Sequence, residues 1–456
     1  MIRLLFGVFV LLVMSGCSNE STPSANSSSQ SSLETKIDQY LADHPGRELM
    51  AGAAIAVQRG DELLIAKGYG KANIAWDIDM PTEASFWIGS VTKQFTAVAI
   101  LQLVEQGKIA LEDDLTDYIK YNTQGKPITI YQLLNHTSGL KSYTEYEAFW
   151  PMSRLAGPRD TLLRMMEPLG FDFEPGTAMI YNNSAYVMLG LIIEEVTGRS
   201  YSDYLDEHVF AKAGLSNTYY CDNQEIHQRE ATGYTVGPDT QLIRAAYIDH
   251  VWPYAAGSLC STTEDLITWN QALHRDQKLL QPETYDWLTK PARLNDGTPL
   301  RYTMGLIRDT IGGHLTIHHG GGINGFVSDV RYFPEEDLTV VALVNTTGPV
   351  RATALTDTIS RMVLDMETTT PAAFQGNLDQ VTGTYEGPGR GRNLIVEAKA
   401  EENTLLIRAL PSTDWDTLSY RGNQTWEIDN QWFSFSRNPD RLNVHTTSGY
   451  FVLERR

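Results

Sequence analysis

The chain has 456 residues, 42% of them apolar and 20% charged, a globular composition long enough for a large core and a second module. Asp and Glu outnumber Lys and Arg by 56 to 36, a net charge of −20. That charge repels phosphate backbones and anionic membrane surfaces, which disfavours nucleic-acid binding, and surface carboxylates of this kind keep an exported protein soluble without implying a cationic substrate.

Residues 1–17 carry Arg3, an apolar run from Leu4 to Met14, and Ser15-Gly16-Cys17, the shape of an export signal too short to span a bilayer. Small residues before a cysteine resemble a bacterial lipobox, which implies a lipidated Cys17 that anchors the mature chain to a membrane. Ser18, rather than Asp, after that cysteine implies the periplasmic side of an outer membrane. Residues 18–32 are Ser-rich and read as a flexible tether. An amphipathic helix is expected over 33–41, then a hairpin from runs 53–58 and 62–67 split by Arg59-Gly60-Asp61. Residues 91–106 keep helical spacing up to Gly107, and 110–290 read as helix-rich. Strand patterns return at 316–319, 325–333 and 338–345, before a helical pattern at 352–366. Strands from both ends around a helical middle predict an α+β domain over 33–367, one antiparallel sheet flanked by helices with an inserted helical region.

Residues 368–375 read as a linker, beginning Thr368-Thr369-Thr370-Pro371. From Gly383 onward about eight short apolar runs alternate with turns such as Gly387-Pro388-Gly389 and Asn438-Pro439, which predicts a small antiparallel barrel over 376–456. An exported chain can pair Cys221 with Cys260, whereas the apolar surroundings of Cys260 suit a small buried thiol.

Three motifs carry chemistry. In Phe86-Trp87-Ile88-Gly89-Ser90-Val91-Thr92-Lys93 a strand-like approach delivers Ser90 to the start of a long helix, with Lys93 on the same face. A lysine whose pKa burial depresses can take the serine proton, and the helix start offers N–H groups to an oxyanion. Ser138-Gly139-Leu140-Lys141 repeats the spacing in a loop with no helix following, and reads as a turn. In Tyr181-Asn182-Asn183 a tyrosine of lowered pKa would act as base or relay acid, and an amide would orient a carbonyl and hold the lysine; taken alone, the tripeptide also reads as a turn. In His318-His319-Gly320-Gly321-Gly322-Ile323-Asn324-Gly325-Phe326 glycines let a strand approach a ligand closely, and His319 adds a donor or a switchable charge. Adjacent histidines point to opposite faces of a strand, so no metal site is expected there.

In this order, over roughly 35–365, the motifs resemble the class C β-lactamase family of penicillin-recognising serine hydrolases. Leu133-Leu134-Asn135-His136-Thr137-Ser138-Gly139-Leu140 and Ala256-Gly257-Ser258-Leu259-Cys260-Ser261-Thr262 add to the resemblance. It implies a β-lactamase/transpeptidase-like fold and Ser90 as acylated nucleophile, with Lys93 and Tyr181 sharing the proton work. It implies further that Asn183, His319 and Gly321 contact substrate, that backbone N–H groups of Ser90 and Gly322 form the oxyanion hole, and that no cofactor is used. His136 reads as shaping a loop beside the site. True β-lactamases of this class carry Lys-Thr-Gly where this chain has His319-Gly320-Gly321, a departure similar to the esterase and D-aminopeptidase relatives. The C-terminal barrel resembles lipocalin-like modules that shape the site entrance in some peptidase members. A small peptide, one with D-residues included, or an ester is the expected substrate. A weak β-lactamase or D-alanyl-D-alanine carboxypeptidase is the nearest alternative, and a non-catalytic ligand-binding lipoprotein the alternative of another class.

Overall fold

Strand β1 (Gly52–Arg59) alternates Ala53, Ile55 and Val57 on one side with Ala54 and Ala56 on the other, and all five are buried. A strand covered on both faces belongs at the centre of a sheet. The computed structural model describes residues 25–222, 224–366, 374–435 and 440–456. Residues 1–17, where an export signal and a lipidated Cys17 are expected, the first part of the Ser-rich segment, residues 367–373 and the expected Asn438-Pro439 turn lie outside the described residues.

Around β1 the order is Ile307–Ile311 (β4), His314–Ile323 (β5), Phe326–Phe333 (β6), Leu338–Val344 (β7), β1, Glu62–Asn73 (β2) and Ile78–Asp79 (β3), every neighbour antiparallel. Both chain ends of the domain thus contribute to one sheet, as the strand patterns predict. The sequence reading contained no strand at β4, an edge strand whose Arg308, Asp309 and Thr310 interrupt the apolar pattern.

On one sheet face, Ile55, Val57, Val340 and Ala342 pack with Ile37 and Leu41 of helix α1 (Ala25–Asp43) and Leu355 and Ile359 of a C-terminal helix, Ala352–Val363. Each Val, Leu or Ile among them contributes about 1.5–3 kcal/mol by leaving water. Helix α1 starts at Ala25 and so takes in part of the segment expected as tether; serine costs a helix only a few tenths of a kcal/mol per residue, so a docked helix extends through it. The other face carries Ala54, Ala56, Val341 and Leu343 against the inserted helical region. Its centre is α2 (Thr92–Glu105), in which every residue from Thr92 to Leu103 is buried, and beside it runs α3 (Asn183–Thr197).

The C-terminal residues form a nearly closed barrel of nine strands from Gly383–Gly387 to Gly449–Arg455 around a core that includes Tyr385, Trp426, Leu442 and Leu453. The last barrel strand also pairs with Met179–Ile180, immediately before Tyr181. At the same contact Arg301 ion-pairs with buried Asp309, donates to the Asn430 carbonyl at 2.6 Å and lies 4.3 Å from the Trp432 ring. Cys221 and Cys260 form a disulfide across neighbouring strands, with Cα atoms 5.4 Å apart. Of the two readings open in the sequence it is the paired one, because Tyr219–Tyr220 registers against Leu259–Cys260.

Candidate active site

Ser90 lies in a 3₁₀ turn, Gly89–Val91, that feeds directly into α2. Gly321 of β5 and Gly89 just before Ser90 make room for this turn. A Cβ on Gly321 would fall 2.0 Å from the Ile88 carbonyl oxygen, and one on Gly89, whose φ is +51°, would meet the Gly322 backbone at 2.9 Å. Gly321 is therefore pressed against the turn, while Gly322 is exposed beside it. The Ser328 hydroxyl locks the contact by donating to the Ile88 carbonyl at 2.8 Å.

Lys93, one turn along, is fully buried. Its Nζ is 3.2 Å from Ser90 Oγ, 2.9 Å from Asn183 Oδ1 and 2.7 Å from the Ala256 carbonyl oxygen. Burial, helped by the Arg390 charge, holds its pKa well below the usual lysine range. The carbonyl can only accept, and Asn183 presents its oxygen because its Nδ2 donates to Thr144 Oγ1 at 3.3 Å. A neutral Lys93 satisfied by these two acceptors keeps its lone pair for the Ser90 hydroxyl. Asn183 is the first residue of α3, held by the Asn182 cap, whose side chain accepts from Ala185 N at 3.0 Å.

Tyr181 lies beside the same amine, with Lys93 Nζ 4.7 Å from its ring centre. The sequence reading asked for a lowered tyrosine pKa; burial raises it instead, against the smaller opposing pulls of Ser90 and Arg390. Its buried hydroxyl faces Ser90, has no well-aligned hydrogen-bond partner among the described residues, and stays protonated at neutral pH. His136 packs 4.4 Å from the Tyr181 ring, centre to centre, and its Nδ1 accepts from Asn182 N at 3.2 Å. Ser138 is buried in the loop after the helix Ile130–Leu134, and no helix begins at it.

His319 needs a correction as a switchable charge. It is buried, its Nδ1–H donates to the Gly320 carbonyl at 2.6 Å, and its Nε2 accepts from the Tyr302 hydroxyl at 3.0 Å. Burial, with the Lys93 charge next in size, pushes its pKa down to about 3. The ring is neutral and engaged within the protein. His318 turns the other way, 3.1 Å from Asp329.

Four groups at the site escaped the sequence reading. The Ala256 carbonyl receives the lysine, and Thr144, Glu145 and Arg390 form a rim. Arg390, in the barrel loop between Gly383–Gly387 and Leu394–Glu401, donates from Nη2 to Thr144 Oγ1 at 3.0 Å, with its Nε 2.8 Å from Glu145 Oε1. Cations among the glycines of Gly387-Pro388-Gly389-Arg390-Gly391-Arg392 were the only available signal, and only the docking of the barrel turns that loop to the site.

A sheet made from both chain ends, a helical insert, and a serine set beside a desolvated lysine and a buried tyrosine define the penicillin-recognising class of serine hydrolases. The beta-lactamase family profile matches residues 37–361, and the chain belongs to that family. Among relatives, penicillin-binding protein 4* of Bacillus subtilis is 29% identical over 324 residues, 67% of this chain and 71% of that protein. The D-aminopeptidase of Brucella canis is 29% identical over 314 residues; the match covers 67% of this chain but only 58% of that protein, less than two thirds of its length. The structure of the octameric penicillin-binding protein homologue from Pyrococcus abyssi superposes with a TM-score of 0.65 at 23% identity, covering 93% of this chain and 99% of that one. This last likeness is one of fold.

Proposed function

We propose that the chain hydrolyses a peptide or ester bond through an acyl-enzyme on Ser90, with D-residue peptides as the leading substrate class. The observation that carries the reading is the Lys93 environment, two obligate acceptors plus the Ser90 hydroxyl around a desolvated amine. In this scheme Lys93 takes the proton as Ser90 Oγ attacks the substrate carbonyl. Tyr181, protonated, passes a proton to the leaving group and is restored through Lys93. Backbone N–H groups of Ser90 and Gly322 receive the oxyanion, and Asn183 orients Lys93 and substrate. Gly321 admits the strand to the site, and neutral His319 supports Tyr181 from 6.0 Å, ring centre to ring centre. The similarity to a D-aminopeptidase supports the D-residue preference.

The test pairs a fluorophosphonate probe with a panel of D-amino-acid amides, short esters and nitrocefin. Label is expected on Ser90 and not on Ser138, and Ser90→Ala is expected to lose both label and turnover. Turnover that persists in Ser90→Ala rejects the assignment.

Export and anchoring through a lipidated Cys17 are part of the same proposal, supported by the small residues before that cysteine. Wild type is expected in membrane fractions carrying a palmitate-analogue label, and Cys17→Ala in soluble or unprocessed form. An unlabelled wild type removes the anchor.

A further inference from the structure

We propose that Arg390, delivered by the barrel, binds a carboxylate on the leaving-group side of the substrate and so selects peptides and esters whose leaving group is anionic. This deepens the serine hydrolase reading and rests on it.

The family's usual cation is missing, since His319 stands in its position and is held by Gly320 and Tyr302. Arg390 supplies a cation from another part of the chain, at the rim formed with Thr144 and Glu145. Its guanidinium carbon lies 5.9 Å from the Tyr181 ring centre, and Tyr181 is the group that serves the leaving group. The guanidinium also joins the reacting atoms through a continuous path. Arg390 donates to Thr144 Oγ1, which accepts from Asn183, whose oxygen receives Lys93, which meets Ser90. Guanidinium has five N–H donors in a fork that fits a carboxylate. One Nη2 hydrogen faces Thr144, while Nε lies 2.8 Å from Glu145 Oε1 as an ion pair but makes no hydrogen bond among the described residues, which leaves donor capacity on the fork. The side chain is about one third exposed, at 35%, so an incoming anion reaches it.

The loop that carries Arg390 is fixed to the hydrolase body. Gly391 N donates to Asp172 Oδ2 at 3.5 Å, and a Cβ on Gly391, whose φ is +70°, would meet the Glu145 side chain at 3.0 Å. Glu145 both orients the guanidinium and competes with a substrate anion for it. A rival reading makes Arg390–Glu145 only a latch between barrel and body.

The two readings separate in a competition experiment on the full-length protein. N-acetyl-D-alanyl-D-alanine and its C-terminal amide differ by one charge, and each is titrated for its ability to slow fluorophosphonate labelling of Ser90. Wild type is expected to favour the acid over the amide by about 30-fold, the size of a lost charge-assisted hydrogen-bond pair. Arg390→Ala should erase that preference, Arg390→Lys should restore part of it, and Glu145→Gln should keep or increase it. Absence of a preference in wild type, or a loss in Glu145→Gln equal to that in Arg390→Ala, overturns the proposal in favour of the latch. A wild type that takes no label at Ser90 fails the serine hydrolase reading instead.

Discussion

Lys93→Ala is expected to slow acylation of Ser90 by ~10²–10⁴-fold, and Tyr181→Phe by about 10²-fold. Lys93 Nζ lies 3.2 Å from Ser90 Oγ as a desolvated amine that can take its proton, whereas Tyr181 beside it is held protonated, and Asn183 Oδ1 and the Ala256 carbonyl cannot act in its place. Removing it also leaves Asn183 Oδ1 and the Ala256 carbonyl without their donor, so Lys93→Ala is paired with Lys93→Met, which keeps the volume of the stem. Tyr181→Phe removes one hydroxyl that faces Ser90 and, among the described residues, makes no well-aligned hydrogen bond that holds the fold, so its loss is chemical rather than structural. The two residues pass one proton, so the double variant should be little worse than Lys93→Ala alone. Stopped-flow acylation rates with an activated ester measure all of these. Independent, multiplicative losses would assign separate roles and remove the shared relay.

What the sequence made legible was the chemistry carried by short local spacings. Ser90 and Lys93 are three apart on one helix, and Asn183 follows a cap at the start of another, so each pair of neighbours is fixed by helix geometry alone. The glycines at 320–322 were legible as a close approach, and the contacts a Cβ would make at Gly321 give the reason. Properties set by tertiary burial were not legible. Tyr181 moves to a raised rather than a lowered pKa, and His319 is neutral rather than switchable, because the surroundings that desolvate both come from other elements, Tyr302 and His136 among them. Arg390 was the furthest from view, since 300 or so residues separate it from Ser90 and the barrel is set against the site by tertiary contacts, the pairing of its last strand with Met179–Ile180 and the Arg301 contacts among them. That pairing also fixes Tyr181 itself, whose N–H donates to the Ser448 carbonyl at 2.9 Å. The barrel thus contributes Arg390 to the rim of the site, in keeping with the entrance-shaping role that its resemblance to lipocalin-like modules implies.

Acidification from pH 7.5 to 5.0 is expected to lower the Tm by roughly 10 °C. Burial pushes His274, His319 and His445 down to about 3 and His250 to about 4, and it holds His136 well below its usual range, with Lys93 adding to the effect. In the unfolded chain each of these titrates near 6.5. Between about pH 6.5 and 4 the unfolded state therefore binds more protons than the folded one. The contribution is fully present above pH 6.5 and falls by about 1.4 kcal/mol per pH unit for each histidine as pH drops. At pH 5 that is about 2 kcal/mol each and about 10 kcal/mol for five, which an unfolding entropy of ~2.1 cal/mol/K per residue converts to the stated shift. Two of the rings are tied to specific contacts in their neutral form: His445 Nε2 accepts from Arg301 N at 3.1 Å where the barrel meets the body, and His136 Nδ1 accepts from Asn182 N beside Tyr181. Both stay neutral in the folded protein at pH 5, so the loss of stability comes from protonation of the unfolded chain. Scanning calorimetry at constant ionic strength from pH 5 to 8 measures the slope, and a level Tm over that range would mean that these histidines titrate normally and are not desolvated. The same burial bears on substrate binding. With His319 neutral throughout and Arg390 permanently charged, KM for a carboxylate substrate should stay level from pH 6 to 8. A KM that climbs with pH over that interval, for anionic substrates and not for neutral esters, would return the anion-binding role from Arg390 to a protonated His319.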